Sequence, residues 1–505
     1  MAERVGIIDL GSNSARLIVM QIHQSGSYHL IYHQKESIRL SEGMSSNNVL
    51  LPAAMSRAIS TLQIFSRRCE LLNVNKMIAV ATAAVRNADN RRDFLQMVHE
   101  QTQITLQVIS GEEESRLGCI GVMNTLDTPD ALIFDLGGAS TEVALMRNRR
   151  IEHALSLPFG AITLTELFGT QDNVSEERLT KLYNYIMRQL EQVPWLDKLN
   201  LPIIGIGGTI RNIAKMDQKY RNYPVSKVHN YKIGSLSFSG LWRSLIEKNA
   251  EQRRKIPGLS NERADIIVAG STIIKCLLAV TRGNQIIVSG CGVREGLFFQ
   301  DYLNRMDLNE TVSDVLLHSA RTILMYSTGQ HIPHAEHVAS LALSMFDKWQ
   351  QLHGFGERER KLLHVASLLH DIGISISYYD HPRHSSYLIE NARLFGLTHR
   401  EQMLCAVIAG WHKGYSAKFA RNRLYNEFLD EADWATARKL AICLALAESL
   451  DTTQGQVIPH IEMVEKGKKL YLQTFPTGEA SLELKAASKH CKWFKKEFAL
   501  DLVII

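Results

Sequence analysis

The sequence predicts an α/β protein of two lobes, followed by an all-α domain and a small α+β cap. Three observations carry this expectation. The run Val5-Gly6-Ile7-Ile8-Asp9-Leu10-Gly11-Ser12-Asn13-Ser14 returns as Ala131-Leu132-Ile133-Phe134-Asp135-Leu136-Gly137-Gly138-Ala139-Ser140-Thr141. Short apolar, β-rich runs alternate with helical stretches up to about residue 300. After about Asn309 the texture changes to long amphipathic helices.

Strands are expected at Val5–Asp9, Leu17–Ile22 and Lys76–Ala81, and a helix at Ala53–Leu72; these fall in a first lobe over residues 1–125. A second lobe over 126–305 carries strands at Ala131–Asp135, Leu201–Ile206 and Gln285–Ser289. Residues 306–460 form the helical domain, with Ala335–Trp349 placing Val338, Leu341, Ala342 and Met345 on one face. The cap, 461–505, holds segments Lys469–Thr474, Ala480–Lys485 and Leu500–Ile505 and a short helix near His490.

At 505 residues the chain is long enough for several cores. Its charge is close to balanced, 57 basic against 52 acidic residues and a net +5, so charge alone does not argue for nucleic acid. The seven cysteines (Cys69, Cys119, Cys276, Cys291, Cys405, Cys443, Cys491) form no Cys-x-x-Cys pair and read as reduced thiols, which points to the cytoplasm. Met1-Ala2-Glu3-Arg4 runs straight into a strand and leaves no room for a signal peptide. The longest apolar stretch, about Ile266 to Val280, is preceded by Asp265 and interrupted by Lys275, so no membrane span is expected.

In each copy of the repeat an apolar strand ends in Asp-Leu-Gly, followed by small hydroxyl or amide residues. Glycine allows a tight turn without a Cβ clash, so backbone N–H groups and hydroxyls can close on phosphate oxygens. The aspartate at each strand end is a candidate holder of a divalent cation. Asp-Gly pairs also serve ordinary turns, but the repeated pattern points to duplicated domains facing one phosphate cleft. Ser110 and Glu113 have capping-box spacing, which accounts for a helix start and leaves Glu114 free to orient and deprotonate a water. Arg86, just after a strand, suits either a phosphate fork or an ordinary ion pair. Ile204-Gly205-Ile206-Gly207-Gly208-Thr209 is another turn on which a phosphate or nucleotide could rest, although it lacks the dinucleotide spacing. Ser289 to Gly296 makes a fourth glycine turn.

In this order the pieces resemble the exopolyphosphatase/guanosine pentaphosphate phosphohydrolase family, within the superfamily of actin, sugar kinases and acetate kinase. The carriers are Asp9 to Ser14, Thr82 to Arg86, Gly111 to Leu117, Asp135 to Glu142, Gly205 to Thr209 and Gly290 to Gly296. The resemblance implies two actin-like (ribonuclease H-like) lobes and hydrolysis of terminal phosphate from inorganic polyphosphate, extending to the 5′ phosphate of pppGpp. It implies Glu114 as base. Phosphate contacts fall to Ser12, Asn13, Arg86, Gly137, Gly138 and Ser140, with Gly208 added from its own turn, and a Mg2+ network to Asp135 and Glu142, with Asp9 as the other strand-end carboxylate. Ala139 stands where a third glycine is usual, and Ala15 where a bulky residue is usual.

The helical domain has a constellation of its own: His337, His370-Asp371, His381, His384, His412, Glu448 and Asp451. It resembles an HD domain, which implies a metal site at His337, His370, Asp371, His412 and Glu448, with Glu448 where a final aspartate is expected. Lys489, Lys492, Lys495 and Lys496 flank Trp493 and Phe494 and read as a solvated helix face, or as a polyanion rail together with Arg383, Lys413, Arg421 and Arg423. Two other functions stay open on the residues: a kinase of the same fold, and a noncatalytic polyphosphate or alarmone sensor. A homodimer is the assembly held open.

Overall fold

Val5, Ile7, Ile8 and Leu10 form a near-continuous apolar run, the pattern of a strand covered on both faces, and all four are fully buried. In the computed structural model, which describes residues 2–44, 48–308, 310–328, 331–420 and 422–505 without the side chains of residues 328, 418 and 420, this run is the centre of the first sheet. Met1, Asn309 and Arg421, on which the sequence reading drew, lie outside the described residues.

The chain divides into two units, one holding residues up to 24 and from 29 to 313, the other 25–28 and 314–505. In the first unit, strands β1 (Glu3–Leu10), β2 (Ser14–Ile22), β3 (Tyr28–Ser37), β4 (Lys76–Ala81) and β5 (Gln107–Val108) form a sheet of order β3-β2-β1-β4-β5. A second sheet is built from β6 (Ala131–Leu136), β7 (Thr141–Arg147), β8 (Arg150–Leu157), β9 (Ile203–Ile206), β10 (Tyr231–Gly234) and β11 (Gln285–Val288), in the order β10-β11-β9-β6-β7-β8. The sequence repeat is thus a topological repeat. Its first strand pairs antiparallel with the next (β1 with β2, β6 with β7) and parallel with a strand reached through helices (β4, β9). The register sets Asp9 opposite Arg16 and Asp135 opposite Glu142.

Most expected elements of this unit are found with small shifts at their ends. The expected helix 53–72 is Pro52–Leu71, started by Pro52, whose missing N–H costs nothing in a first turn. The strand expected from Leu201 begins at Ile203, past Pro202. The apolar stretch near residue 270 is the buried helix Ile267–Thr281, and among the described residues no helix is long and apolar enough to cross a membrane.

After β11 the chain returns to the first lobe, where the helix Val293–Arg305 packs on the helix Gly111–Met123 and on β1. Glycines make this crossing close: a methyl on Gly296 would collide with the Leu117 carbonyl oxygen, and one on Gly121 with the carbonyl oxygen of Gly292. The helix that carries Glu114 is therefore held backbone to backbone.

The second unit packs six longer helices, Val315–Thr328, Ile332–Lys348, Glu357–Leu369, His381–Asn391, His399–Gly410 and Glu431–Ser449, with shorter ones between. Its core includes the fully buried Trp349, Trp411 and Phe494. Val338, Leu341, Ala342 and Met345 are buried together as their spacing predicts. In the cap, β12 (Ile461–Lys466), β13 (Lys469–Thr474) and β14 (Asp501–Ile504) form a sheet in that order, with helices Ser481–Ser488 and Cys491–Phe498. The segment expected at Ala480–Lys485 lies in the first of these helices. The sequence reading did not find β12, because only Ile461 of that strand is buried and no alternation marks it. Gly467, at φ +64°, makes the turn of the β12–β13 hairpin.

Candidate active site

The two repeated loops close in the same way. The Gly11 N–H donates to Ser14 O at 3.2 Å, and the Gly137 N–H donates to Ser140 O at 3.0 Å. They also face each other. A methyl on Gly138 would stand 3.3 Å from Ser12 Cβ and 2.9 Å from Ile162 Cδ1, so glycine here makes room rather than supplying an unusual backbone angle. Ala139 fits without a left-handed backbone, and Ala15 is buried within β2. Gly207 does need its freedom, at φ +103°, and its missing side chain leaves Asp135 Oδ1 and Leu136 O uncovered.

Together these turns enclose a narrow cavity of about 80 Å³ lined by Asp9, Ser12, Asn13, Glu114, Asp135, Gly137, Gly138, Ser140 and Gly208, among others. All of these were named from the sequence, from residues spread over some 200 positions. Arg86 and Glu142 stand behind the cavity instead. Two ion pairs link the lobes near it, Lys35 with Glu262 at 3.2 Å and Arg39 with Asp265 at 3.4 Å.

Glu114 owes its place to the helix start. Ser110 Oγ accepts from the Glu113 N–H at 3.0 Å, as the capping-box spacing predicts. The reciprocal half of the box is not made, because Glu113 pairs with Arg116 at 2.9 and 3.0 Å, a partner one helical turn away. Glu114, one position on, turns inward and is buried. There it accepts from Arg86 Nη1 at 2.9 Å; the same nitrogen donates to Ile109 O, and Arg86 Nη2 lies 3.9 Å from Glu142. Arg86 is thus a half-buried partner of the two buried glutamates, neither the surface pair nor the open phosphate fork that the sequence allowed.

The carboxyls of this site are all pushed upward. Burial and then the charge of Glu142 hold Glu114 well above the ordinary carboxylate range, against the hydrogen bond from Arg86. Burial raises Glu142 to about 7, opposed by hydrogen bonds from Ser140 and Ser156, and Asp135 to about 6, opposed by Arg16. Asp9 is raised by burial in the same way.

Around them stand arginines absent from the sequence prediction: Arg16, Arg211, Arg263 and Arg294. Burial lowers Arg211 to about 9 and Arg263 to about 10, with Arg16 adding like-charge repulsion to both, so each stays charged at neutral pH in a place that favours an anion. Arg16 and Arg263 line the cavity. The Arg263 guanidinium lies where a side chain on Gly208 would be. Arg294 is 6 % exposed, and its Nη1 has no hydrogen-bond partner among the described residues. Arg16 was readable in principle, since it occupies in the first repeat the place of Glu142 in the second.

The second unit gathers the other candidates. His370, Asp371, His412 and Glu448 are brought together and buried. His337 is not with them. Its Nε2 lies 3.1 Å from Ile458 O, and His334, one turn earlier on the same helix, takes the place instead, with Nε2 2.9 Å from Glu448 and Nδ1 2.7 Å from Asp451. His381 joins through Asp371, at 3.3 Å. In the lysine stripe, Lys495 pairs with Asp501 at 2.7 Å and Lys496 lies over the Tyr415 ring, so part of the stripe is engaged locally.

A two-lobed fold whose duplicated glycine loops meet around carboxylates and buried arginines defines a phosphate-handling protein. Comparison with known proteins is specific: residues 18–305 match the Ppx/GppA phosphatase family and residues 322–486 match domain III of Ppx/GppA phosphatases. The chain belongs to the Ppx/GppA phosphatase family. Among solved structures, a family member from Aquifex aeolicus is 29% identical with a TM-score of 0.53, covering 60% of this chain and 99% of its own. An exopolyphosphatase from Cytophaga hutchinsonii is 25% identical with a TM-score of 0.57, covering 61% of this chain and all of its own.

Proposed function

We propose that the chain hydrolyses the terminal phosphoanhydride bond of inorganic polyphosphate, and the 5′ phosphate of pppGpp, by direct attack of water. The observation that carries this reading is the cavity itself. It has room for one phosphoryl end and is walled by two matching amide-rich turns, by Arg16 and Arg263, and by Glu114 from the first turn of its helix.

In the reaction, the backbone N–H groups and hydroxyls of the Ser12–Asn13 and Gly137–Ser140 loops would grip the terminal phosphoryl oxygens, with Arg16, Arg263 and Arg294 balancing their charge. Glu114 would accept a proton from water as the water oxygen bonds to the terminal phosphorus. The bond to the bridging oxygen breaks, that oxygen keeps the electron pair, and inorganic phosphate leaves with a chain one unit shorter. Arg86 holds Glu114 in place. The residues fit Mg2+, because Asp9, Asp135 and Glu142 offer only hard oxygen donors on desolvated carboxyls. When bound there, Mg2+ supplies charge neutralisation at the phosphoryl group. The seven unpaired cysteines favour a reducing, cytoplasmic setting. The Arg263 guanidinium laid on Gly208 favours phosphate over a nucleotide seat at that turn, which speaks against the kinase reading.

Phosphate release from long polyphosphate and from pppGpp, side by side with and without Mg2+, tests the proposal. Transfer to ADP without free phosphate would select a kinase, and tight binding without turnover a sensor.

Asp135→Asn should raise the Mg2+ concentration needed for half-maximal rate, since a charged oxygen ligand is lost. A fall in rate at unchanged Mg2+ dependence would assign Asp135 another role. The pH profile follows from the raised carboxyls. A base works only when ionised, so kcat/KM should climb with pH on a limb lying above the usual carboxylate range. Glu142→Gln removes the neighbouring charge that helps raise Glu114, and Asp135 and Arg86 remain. Its limb should therefore shift to lower pH, whatever happens to the maximum; an unmoved limb would mean that the two glutamates are not coupled.

A further inference from the structure

Arg263 is anchored through its backbone while its guanidinium stays free. It ends the 3-10 turn Asn261–Arg263, and its guanidinium lies over Gly208 in the wall of the phosphate cavity. Among the described residues that guanidinium makes no hydrogen bond, so its donors are open to phosphate oxygens. A long side chain without anchors of its own aims well only if the turn that carries it is fixed.

Two buried side chains fix that turn. Arg253, fully buried in the short helix Ala250–Arg254, reaches backbone carbonyls on three separate segments. Its Nε donates to Lys248 O at 2.8 Å, Nη1 to Ala264 O at 2.7 Å and to Gln171 O at 3.4 Å, and Nη2 to Asp172 O. Among the described residues no carboxylate pairs with it, so its contribution is geometric. A planar fork of five donors can hold four carbonyls at once, which the single ammonium of a lysine cannot. Ala264 is the residue after Arg263. At the other end of the turn Asn212, also buried, accepts from the Ser260 N–H at 2.8 Å through Oδ1 and donates from Nδ2 to Gly208 O at 2.8 Å. The turn is thus tied at Ser260 to the same glycine that Arg263 covers, and at Ala264 to the body of the second lobe.

We propose that Arg253 and Asn212 are positioning residues for phosphate binding, which clamp the two ends of the segment Ser260 to Ala264 and so aim the Arg263 guanidinium at the terminal phosphoryl group. Neither belongs to the described residues that line the cavity, so their effect passes through Arg263. The inference rests on the phosphate-binding role given to Arg263 above. Loosening the clamp removes the contact that Arg263 makes and leaves the two glycine loops and Glu114, which other elements hold, in place.

The test is equilibrium binding of tripolyphosphate to the full chain, measured by calorimetry with a chelator present, beside the melting temperature of each variant. Arg253→Lys keeps the charge and loses the fork, and should weaken binding by about 10–100-fold, the worth of one hydrogen bond to a charged group. Arg263→Gln should lose a similar factor. In the Arg263→Gln background Arg253→Lys should change the affinity by less than about twofold, because the group it aims is gone. A residue that only holds the fold together would show its full loss in both backgrounds, and that result overturns the proposal, as does a folded Arg253→Lys that binds like wild type. If Arg253→Lys does not fold, Asn212→Ala taken through the same cycle decides. A wild-type chain that binds tripolyphosphate but releases no phosphate with Mg2+ ends the hydrolysis reading and leaves these affinities to decide the clamp; one that binds none ends both.

Discussion

Glu114→Gln should lower phosphate release by about 10²–10⁴-fold, the usual worth of a general base, while substrate binding stays close to wild type. The amide keeps the size of the side chain, and its oxygen can still accept from Arg86 Nη1, now 2.9 Å from the carboxylate, so the local packing has little reason to change. What it cannot do is take a proton from water. The loops and arginines assigned to phosphate remain in place, so the loss belongs in kcat, with KM or a directly measured Kd little altered. Steady-state rates beside equilibrium binding of polyphosphate check this. A purified variant turning over at near the wild-type rate would remove Glu114 from the chemistry.

The largest structural effect should come from Gly296→Ala. The added methyl meets the Leu117 carbonyl and lies 3.1 Å from Leu117 Cα, and these are backbone atoms of the helix that begins beside Glu114. A flexible side chain could swing aside, but a helix backbone cannot, so the two helices must separate. Overpacking of this kind costs about 1–3 kcal/mol, and more where the backbone must move. Activity should fall with stability, because Glu114 moves with its helix. Denaturant or thermal unfolding followed on the full chain would show it; an unchanged midpoint would mean that the crossing is looser than described. Alanine at Gly356, where no backbone lies within reach of the added methyl, is the contrasting control.

The repeat made the lobes legible because each copy joins an apolar strand to a glycine turn and the two encode the same local geometry. The loop residues and Glu114 followed from that. The arginines did not. Arg211 lies one turn into a helix, Arg263 ends a short 3-10 turn, and Arg294 opens another helix, so only the folded arrangement brings Arg211 and Arg294 beside Asp9 and Asp135 and Arg263 into the cavity wall. Arg16 was hidden differently: the repeat was matched by residue identity, while here the two copies place opposite charges at one register position. His334 and His337 share a helix three residues apart, and nothing in that spacing says which one faces Glu448; burial of His334 decides it. Glu113 shows the limit of a motif, since its capping partner was displaced by a closer arginine.

The central claim is that water, activated by Glu114, takes the terminal phosphoryl group directly. Turnover of long polyphosphate in water enriched in oxygen-18, with the released phosphate analysed by mass, tests it most directly. Each phosphate released by wild type should carry one solvent oxygen, and Glu114→Gln should release little labelled product under the same Mg2+. Phosphate without solvent oxygen, or phosphoryl transfer to an added acceptor with none released, would contradict the account.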